Sequence, residues 1–242
     1  MSTRVGISVV VVAATIAIGA SRNETPLAEA AYQRPAAQPG GRGRAGDTPA
    51  PARQPGEGQG PFKKLVIRSV TLIDGTGGPP LSPMDIVIEQ NRITSIRQAG
   101  WPGLPQQPNR EPRDADFEID GKGMYVMPGF VDMHVHGSTA GKAPDLGYAY
   151  KLWLAHGVTT VRGVSLSSAE TSSSEKNRSA RNEIAAPRIF NYQTLGSGWS
   201  EGPVTSVEKA RAYVRWAAAN NIDGIKFFNR GDETPEIDTA AI

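Results

Sequence analysis

Met127-Pro128-Gly129-Phe130-Val131-Asp132-Met133-His134-Val135-His136-Gly137 is the stretch on which the fold turns. A Pro-Gly turn opens it. Phe130, Val131, Met133 and Val135 then make a short, β-branched apolar run, which reads as a buried strand rather than a helix. Side chains at i and i+2 of a strand point to the same side. His134 and His136 therefore offer two imidazoles to one point at the strand's end. Neutral imidazole is the commonest metal ligand among side chains. The chain has three histidines, and two of them sit here.

Before this stretch come short, closely spaced β-branched runs: Lys64–Ile73, Asp85–Glu89, Arg92–Ile96, Phe117–Asp120 and Tyr125–Met127. Asp74-Gly75-Thr76-Gly77-Gly78-Pro79-Pro80 turns the chain after the first run. Asn91 suits a tight hairpin, and Gly121-Lys122-Gly123 makes another turn. Such spacing predicts an all-β module.

After it the pattern changes. A flexible loop, Gly137–Gly141, leads to a helix over Leu146–His156, with Leu146, Ala149, Tyr150, Trp153 and Leu154 on one face and Gly157 as C-cap. Val158–Val161 and Pro187–Tyr192 read as strands. Thr205-Ser206-Val207-Glu208 is a capping box opening a helix to Asn220. Ile222–Phe228 is the fourth strand, and Thr234-Pro235 starts a further helix with Thr234 as N-cap. Strands alternating with helices at this spacing form βα units and a parallel sheet.

The run Pro128-Gly129-Phe130-Val131-Asp132-Met133-His134-Val135-His136 resembles the signature of the first barrel strand in the amidohydrolase superfamily. Asp74–Gly77, Asp85–Ile96 and Gly157–Arg162 are similar to further parts of its urease-like members, so the likeness runs over roughly residues 64–242. The resemblance implies an α/β fold: the amino-terminal part of a (β/α)8 TIM-type barrel, about four βα units over residues 127–242. A partial β-sandwich over residues 62–126 precedes it. A full barrel needs about 250 residues, and 114 run from Gly129 to Ile242. The chain is thus expected to be truncated, the front half of a longer protein, and as a fragment inactive.

Lys226 ends an apolar strand, with Ile225 before it and two phenylalanines after it. A charged ammonium is costly to bury there. On local sequence two readings stay open: Lys226 snorkels or pairs with a carboxylate, or low-dielectric surroundings favour its neutral amine, which can react with carbon dioxide. In many binuclear amidohydrolases a carboxylated lysine at the end of strand four bridges two metal ions. The resemblance thus implies that His134, His136 and Lys226 bind metal, two zinc ions, with Lys226 also counted as catalytic. It implies a metal-activated hydroxide attacking an amide bond of a peptide-like, non-peptide or cyclic substrate, in the imidazolonepropionase-like and Xaa-Pro dipeptidase-like branch. The alternatives are a non-catalytic truncated product that binds metal weakly or packs against a partner, and a mononuclear deaminase-type site. His156 and Asp132 read as structural. Asn191, Tyr192, Gln193 and Trp199 follow strand three and are expected to line the mouth.

Composition and the amino terminus set the remaining bounds. A net charge of +2 gives no reason to expect a nucleic-acid partner, and the absence of cysteine excludes disulfides and thiolate metal sites. The resemblance implies a small-molecule or short peptide-like substrate. Arg4 followed by the uncharged Val5–Ala20 stretch reads as a secretory signal over residues 1–30, or as an uncleaved anchor. Either takes the chain out of the cytoplasm, to a periplasmic or extracellular place. Residues 31–61, rich in Pro, Gly, Ala, Gln and Arg, read as a disordered spacer.

Overall fold

The computed structural model describes the backbone of residues 9–12, and residues 48–137, 144–164, 166–227 and 235–241. The remaining signal positions, spacer residues 31–47, loop residues 138–141, Phe228 and the Thr234 cap lie outside these. Among the described residues no helix is long and apolar enough to cross a membrane.

The first module is one mixed sheet. Strands β2 (Lys64–Leu72), β3 (Leu81–Glu89) and β4 (Arg92–Gln98) form an antiparallel meander. Strands β5 (Phe117–Asp120) and β6 (Tyr125–Pro128) both pair in parallel with the other side of β2. Strand β1 (Val9–Val12) runs antiparallel along β6. A run of four valines has high β propensity, so part of the expected export segment adopts a strand at this sheet's edge. The described residues thus give one six-stranded sheet here, where the partial β-sandwich was expected. Ile67, Val70, Leu72, Met84, Ile86 and Val126 make its core.

An irregularity bends this sheet and is held by charge. The β2–β3 register slips between Ile67 and Val70, and Ser69 sits at φ 63°. That bulge leaves the Ser69 amide without a ladder partner, and it donates to Asp85 Oδ1 at 2.9 Å. Asp85 is 4% exposed. Its carboxylate accepts from Arg110 Nε at 2.8 Å and Nη2 at 3.0 Å, and from Arg68 Nη1 at 3.2 Å. Burial pushes the Asp85 carboxyl up, but the Arg110 bonds, the Ser69 amide and Arg68 together hold it below the usual carboxylate value.

The second module is a four-stranded, all-parallel sheet in the order β10 (Gly224–Lys226), β9 (Arg188–Thr194), β8 (Val158–Val164), β7 (Phe130–Val135). Helices α1 (Leu146–Ala155), α2 (Ala169–Ala180) and α3 (Val207–Ala219) connect successive strands, and α4 (Pro235–Ala240) follows the last. This is the half-barrel arrangement expected from the sequence. Val135, Val161 and Ile189 pack with Leu146, Tyr150, Leu166 and Ile184 on the helix-covered side. Gly157, at φ 79°, ends α1 in the left-handed conformation that glycine adopts without strain. The α3 cap sits one residue later than expected: Ser206 Oγ accepts from Lys209 N at 3.3 Å. Helix α2 was not expected at all. Its Ala169-Glu170-Thr171-Ser172-Ser173-Ser174-Glu175 sequence has no apolar stripe, and it buries polar groups instead, Ser172 and Glu175.

The end of the supposed spacer is also ordered. Residues 48–60 have no regular secondary structure, yet main-chain bonds strap them to the helices. The Leu146 amide donates to Thr48 O at 2.9 Å, and the Arg53 amide to Glu183 O at 2.8 Å. The Ala50 amide donates to Glu175 Oε2 at 3.1 Å. Ala50 itself belongs to the core between sheet and helices. Composition alone misleads here, because the anchoring atoms are backbone atoms that any residue carries.

Two outcomes are expected. The Asp85 carboxyl has a lowered value in the folded state, so its contribution is present above the unfolded value and fades as pH falls through the folded one. Asp85→Asn should therefore cost about 3 kcal/mol near neutrality and flatten the acid limb of stability, measured by thermal unfolding from about pH 7 down to about pH 3. Glu175→Ala removes the acceptor for the Ala50 amide, worth about 1 kcal/mol. Limited trypsin digestion should then cut after Arg53 several-fold faster, while an unchanged rate would show that Glu175 does not hold the strap.

Candidate functional site

The two faces of the parallel sheet differ in what they carry. Alternation along β9 sends Ile189, Asn191 and Gln193 to the helix side, where they are buried. Phe190 and Tyr192 take the other face. On β10, Ile225 packs with Tyr213, Ala217 and Ile222 on the helix side, which turns Gly224 and Lys226 to the face of Tyr192. On β7, Val135 enters the helix-side core, so His134 turns away from the helices, and His136 follows one residue beyond the strand. The helix-free face thus carries His134, His136, Arg162, Tyr192 and Lys226 toward the carboxyl ends of the strands.

The histidines come together as expected. Their ring centroids lie 5.3 Å apart with an interplanar angle of 54°, and both side chains are exposed. Asp132 has the backbone-holding role that its position suggested: its Oδ1 accepts from the His134 amide at 3.0 Å. The β7–β8 register slips between Asp132 and Val135, a local break of the kind that re-aims side chains. Lys226 sits half-buried at the end of β10, opposite Thr194 in register. It shares the histidines' face but stands at the far edge of the sheet, with β8 and β9 between. His156 closes α1, its Nδ1 2.8 Å from Leu152 O, in agreement with a structural role.

The donor set fits one side of a divalent-metal site. Two imidazoles turned to one space suit zinc, which takes nitrogen ligands. Among the described residues no group of three His, Cys, Asp or Glu side chains could hold an ion.

The mouth differs from expectation. Asn191 and Gln193 are fully buried behind the sheet. Asn191 Nδ2 donates to Ser173 Oγ of α2 at 2.9 Å, and Gln193 Nε2 donates to Asn191 Oδ1 at 2.8 Å. Lys176 on α2 completes this layer by pairing with Asp223 at 2.7 Å. Three consecutive residues of a strand cannot all face one way, and only Tyr192 reaches the open face. Trp199 packs edge-on against Tyr213, with centroids 5.7 Å apart, and serves the core. Tyr213 in turn anchors the loop after β9, donating through its hydroxyl to Thr194 O at 3.0 Å or Ser197 O at 3.1 Å. Burial pushes this phenol up to about 12.

Arg162 was not singled out from the sequence. Its guanidinium carbon lies 4.2 Å from the Tyr192 ring centroid. The signal was present: Arg162 alternates with the buried Val161 and so had to face away from the helices. The close approach of Tyr192 to β10 requires Gly224, where a Cβ would sit 2.0 Å from the tyrosine ring.

No family model matches the chain. It is 30% identical over 77 residues to N-acetylglucosamine-6-phosphate deacetylase from Lysinibacillus sphaericus, covering 32% of this chain and 16% of that protein. It is 35% identical over 97 residues to adenine deaminase from Staphylothermus marinus, covering 40% of this chain and 15% of that protein. The matched segments thus span about a sixth of these relatives. Both names describe enzymes acting on a carbon–nitrogen bond. The crystal structure of phenylurea hydrolase B shares the fold with a TM-score of 0.52 at 21% identity, over 68% of this chain and 45% of that one. Over these segments the chain is similar to enzymes of the amidohydrolase superfamily, matched over part of its length.

Proposed function

We propose that this chain carries one side of the active site of a hydrolase that cleaves carbon–nitrogen bonds of amide type in small molecules, with His134, His136 and Lys226 as metal-binding residues. The observation that carries this reading is the His134–His136 pair, with ring centroids 5.3 Å apart on the helix-free face, at the carboxyl end of a parallel strand. Active sites of parallel α/β barrels are built at that end. A divalent ion there, zinc in this reading, would supply a hydroxide near neutrality by lowering the pKa of bound water, and would polarise a carbonyl oxygen.

The chain's own groups prepare the site. Asp132 fixes the backbone at His134 through the His134 amide, which sets where the first imidazole points. Lys226, in its neutral form, adds its Nζ to the carbon of carbon dioxide and releases a proton. The resulting carbamate would offer oxygen ligands to a divalent ion. Arg4 and the uncharged Val5–Ala20 stretch support export, so that hydrolysis takes place outside the cytoplasm.

Two measurements test this. Zinc content after dialysis is expected to fall to background in the His134→Ala, His136→Ala double variant while far-UV circular dichroism is kept; unchanged metal content removes the site. Carbon-13 spectra recorded under labelled carbon dioxide with zinc should show a carbamate resonance that Lys226→Ala abolishes. A signal that survives this substitution assigns the carbamate to another lysine.

A further inference from the structure

We propose that Arg162, stacked on Tyr192, is a subsite for an oxyanion group of the substrate, so that the amide cleaved beside His134 and His136 carries a carboxylate or phosphate near the scissile bond. This rests on the reading above and names its substrate class.

Three observations support it. The first is the orientation of the guanidinium. Its carbon lies 4.2 Å from the Tyr192 ring centroid, so the ring uses a face of the cation. A guanidinium stacked in this way keeps its N–H edges for in-plane bonds, and those edges match carboxylate and phosphate geometry bidentately. The second is charge. Among the described residues Arg162 enters no ion pair with a carboxylate. Three other half-buried arginines are paired with carboxylates, Arg68 and Arg110 with Asp85 and Arg178 with Glu175, while half-buried Arg53 donates through Nε to Glu57 O. The third is position. Val135 pairs with Gly163, and Gly163 with Asn191. Arg162 therefore lies on the strand next to the histidines, one residue below the row of Val135 and Gly163, and Tyr192 one strand further. Neighbouring strands are about 4.8 Å apart. A group held by Arg162 thus sits about 5–10 Å from the imidazoles, the reach of a substrate whose anionic group is two or three bonds from its amide carbonyl. Phe190, opposite Arg162 in register and 39% exposed, adds an apolar flank.

The test is binding to the full 242-residue chain, with and without zinc, by calorimetry or ligand-observed resonance. The probes are N-acetyl-L-alanine, its carboxamide N-acetyl-L-alaninamide, and inorganic phosphate. The wild-type chain should prefer the acid over the carboxamide by about tenfold or more, the size of one charge-assisted bidentate contact. Arg162→Gln should erase that preference. Arg162→Lys keeps the charge but gives up the fork, and should lose most of it. Tyr192→Phe keeps the stack and the preference, whereas Tyr192→Leu weakens it. Arg162-dependent binding of phosphate without the acid assigns the subsite to phosphate. Equal affinities for acid and carboxamide together with no binding of phosphate, or an undiminished preference in Arg162→Gln, overturn the proposal. Failure of the wild-type chain to hold zinc, with Arg162-dependent anion binding intact, removes the metal reading and leaves this one standing.

Discussion

Everything at the site depends on a period of two. In a parallel strand each residue faces the opposite way from its neighbours. Helices cover one side of the β7–β10 sheet, so each strand must spend alternate positions on the apolar layer beneath α1, α2 and α3. Val135, Val161, Ile189 and Ile225 meet that demand. The positions beside them, His134, Arg162, Phe190, Tyr192 and Lys226, are thereby turned outward together. Packing on one face and chemistry on the other are two consequences of one geometry, and a one-residue slip of register would exchange them.

The same rule explains what the sequence showed and what it hid. The His-x-His spacing needs only alternation and a strand, so the convergence of His134 and His136 was legible. The parallel half-barrel sheet was legible too, because α1 and α3 carry apolar stripes between its strands. Asn191 and Gln193 were misplaced because proximity along the chain was taken for proximity in space. Helix α2 was invisible for a different reason. Its inward face is polar, Ser172 and Glu175, and finds partners in the Ala50 and Ser167 amides and in Arg178. Hydropathy cannot report a face that is buried by hydrogen bonding. In the first module Asp85 looked like the opening residue of a strand, whereas it holds a bulge and two arginines, a role set by tertiary contact alone.

Charge is handled in two ways across the chain. Asp85 with Arg68 and Arg110, and Glu175 with Arg178, are closed arrangements in which each buried charge has its counterpart. Removing one partner of such a group leaves the other charge buried and uncompensated. The helix-free face is different: imidazoles are exposed and a guanidinium lies on an aromatic ring. A surface prepared in this way costs the fold little, since its groups stay near water.

The strap over residues 48–60 bears on how the molecule assembles. The Ala50–Glu175 bond joins residues 125 positions apart, and the strap's other anchors, Leu146 and Glu183, belong to the half barrel. Closing a loop of that length is entropically expensive until the surface it closes on exists. Docking of the strap therefore comes late, after α2 has packed on β9. An element added last, through a few backbone bonds and one small apolar side chain, is also among the first to open in the native state. The segment that precedes the sheet thus acts as a latch whose closure reports that the helices beneath it are in place.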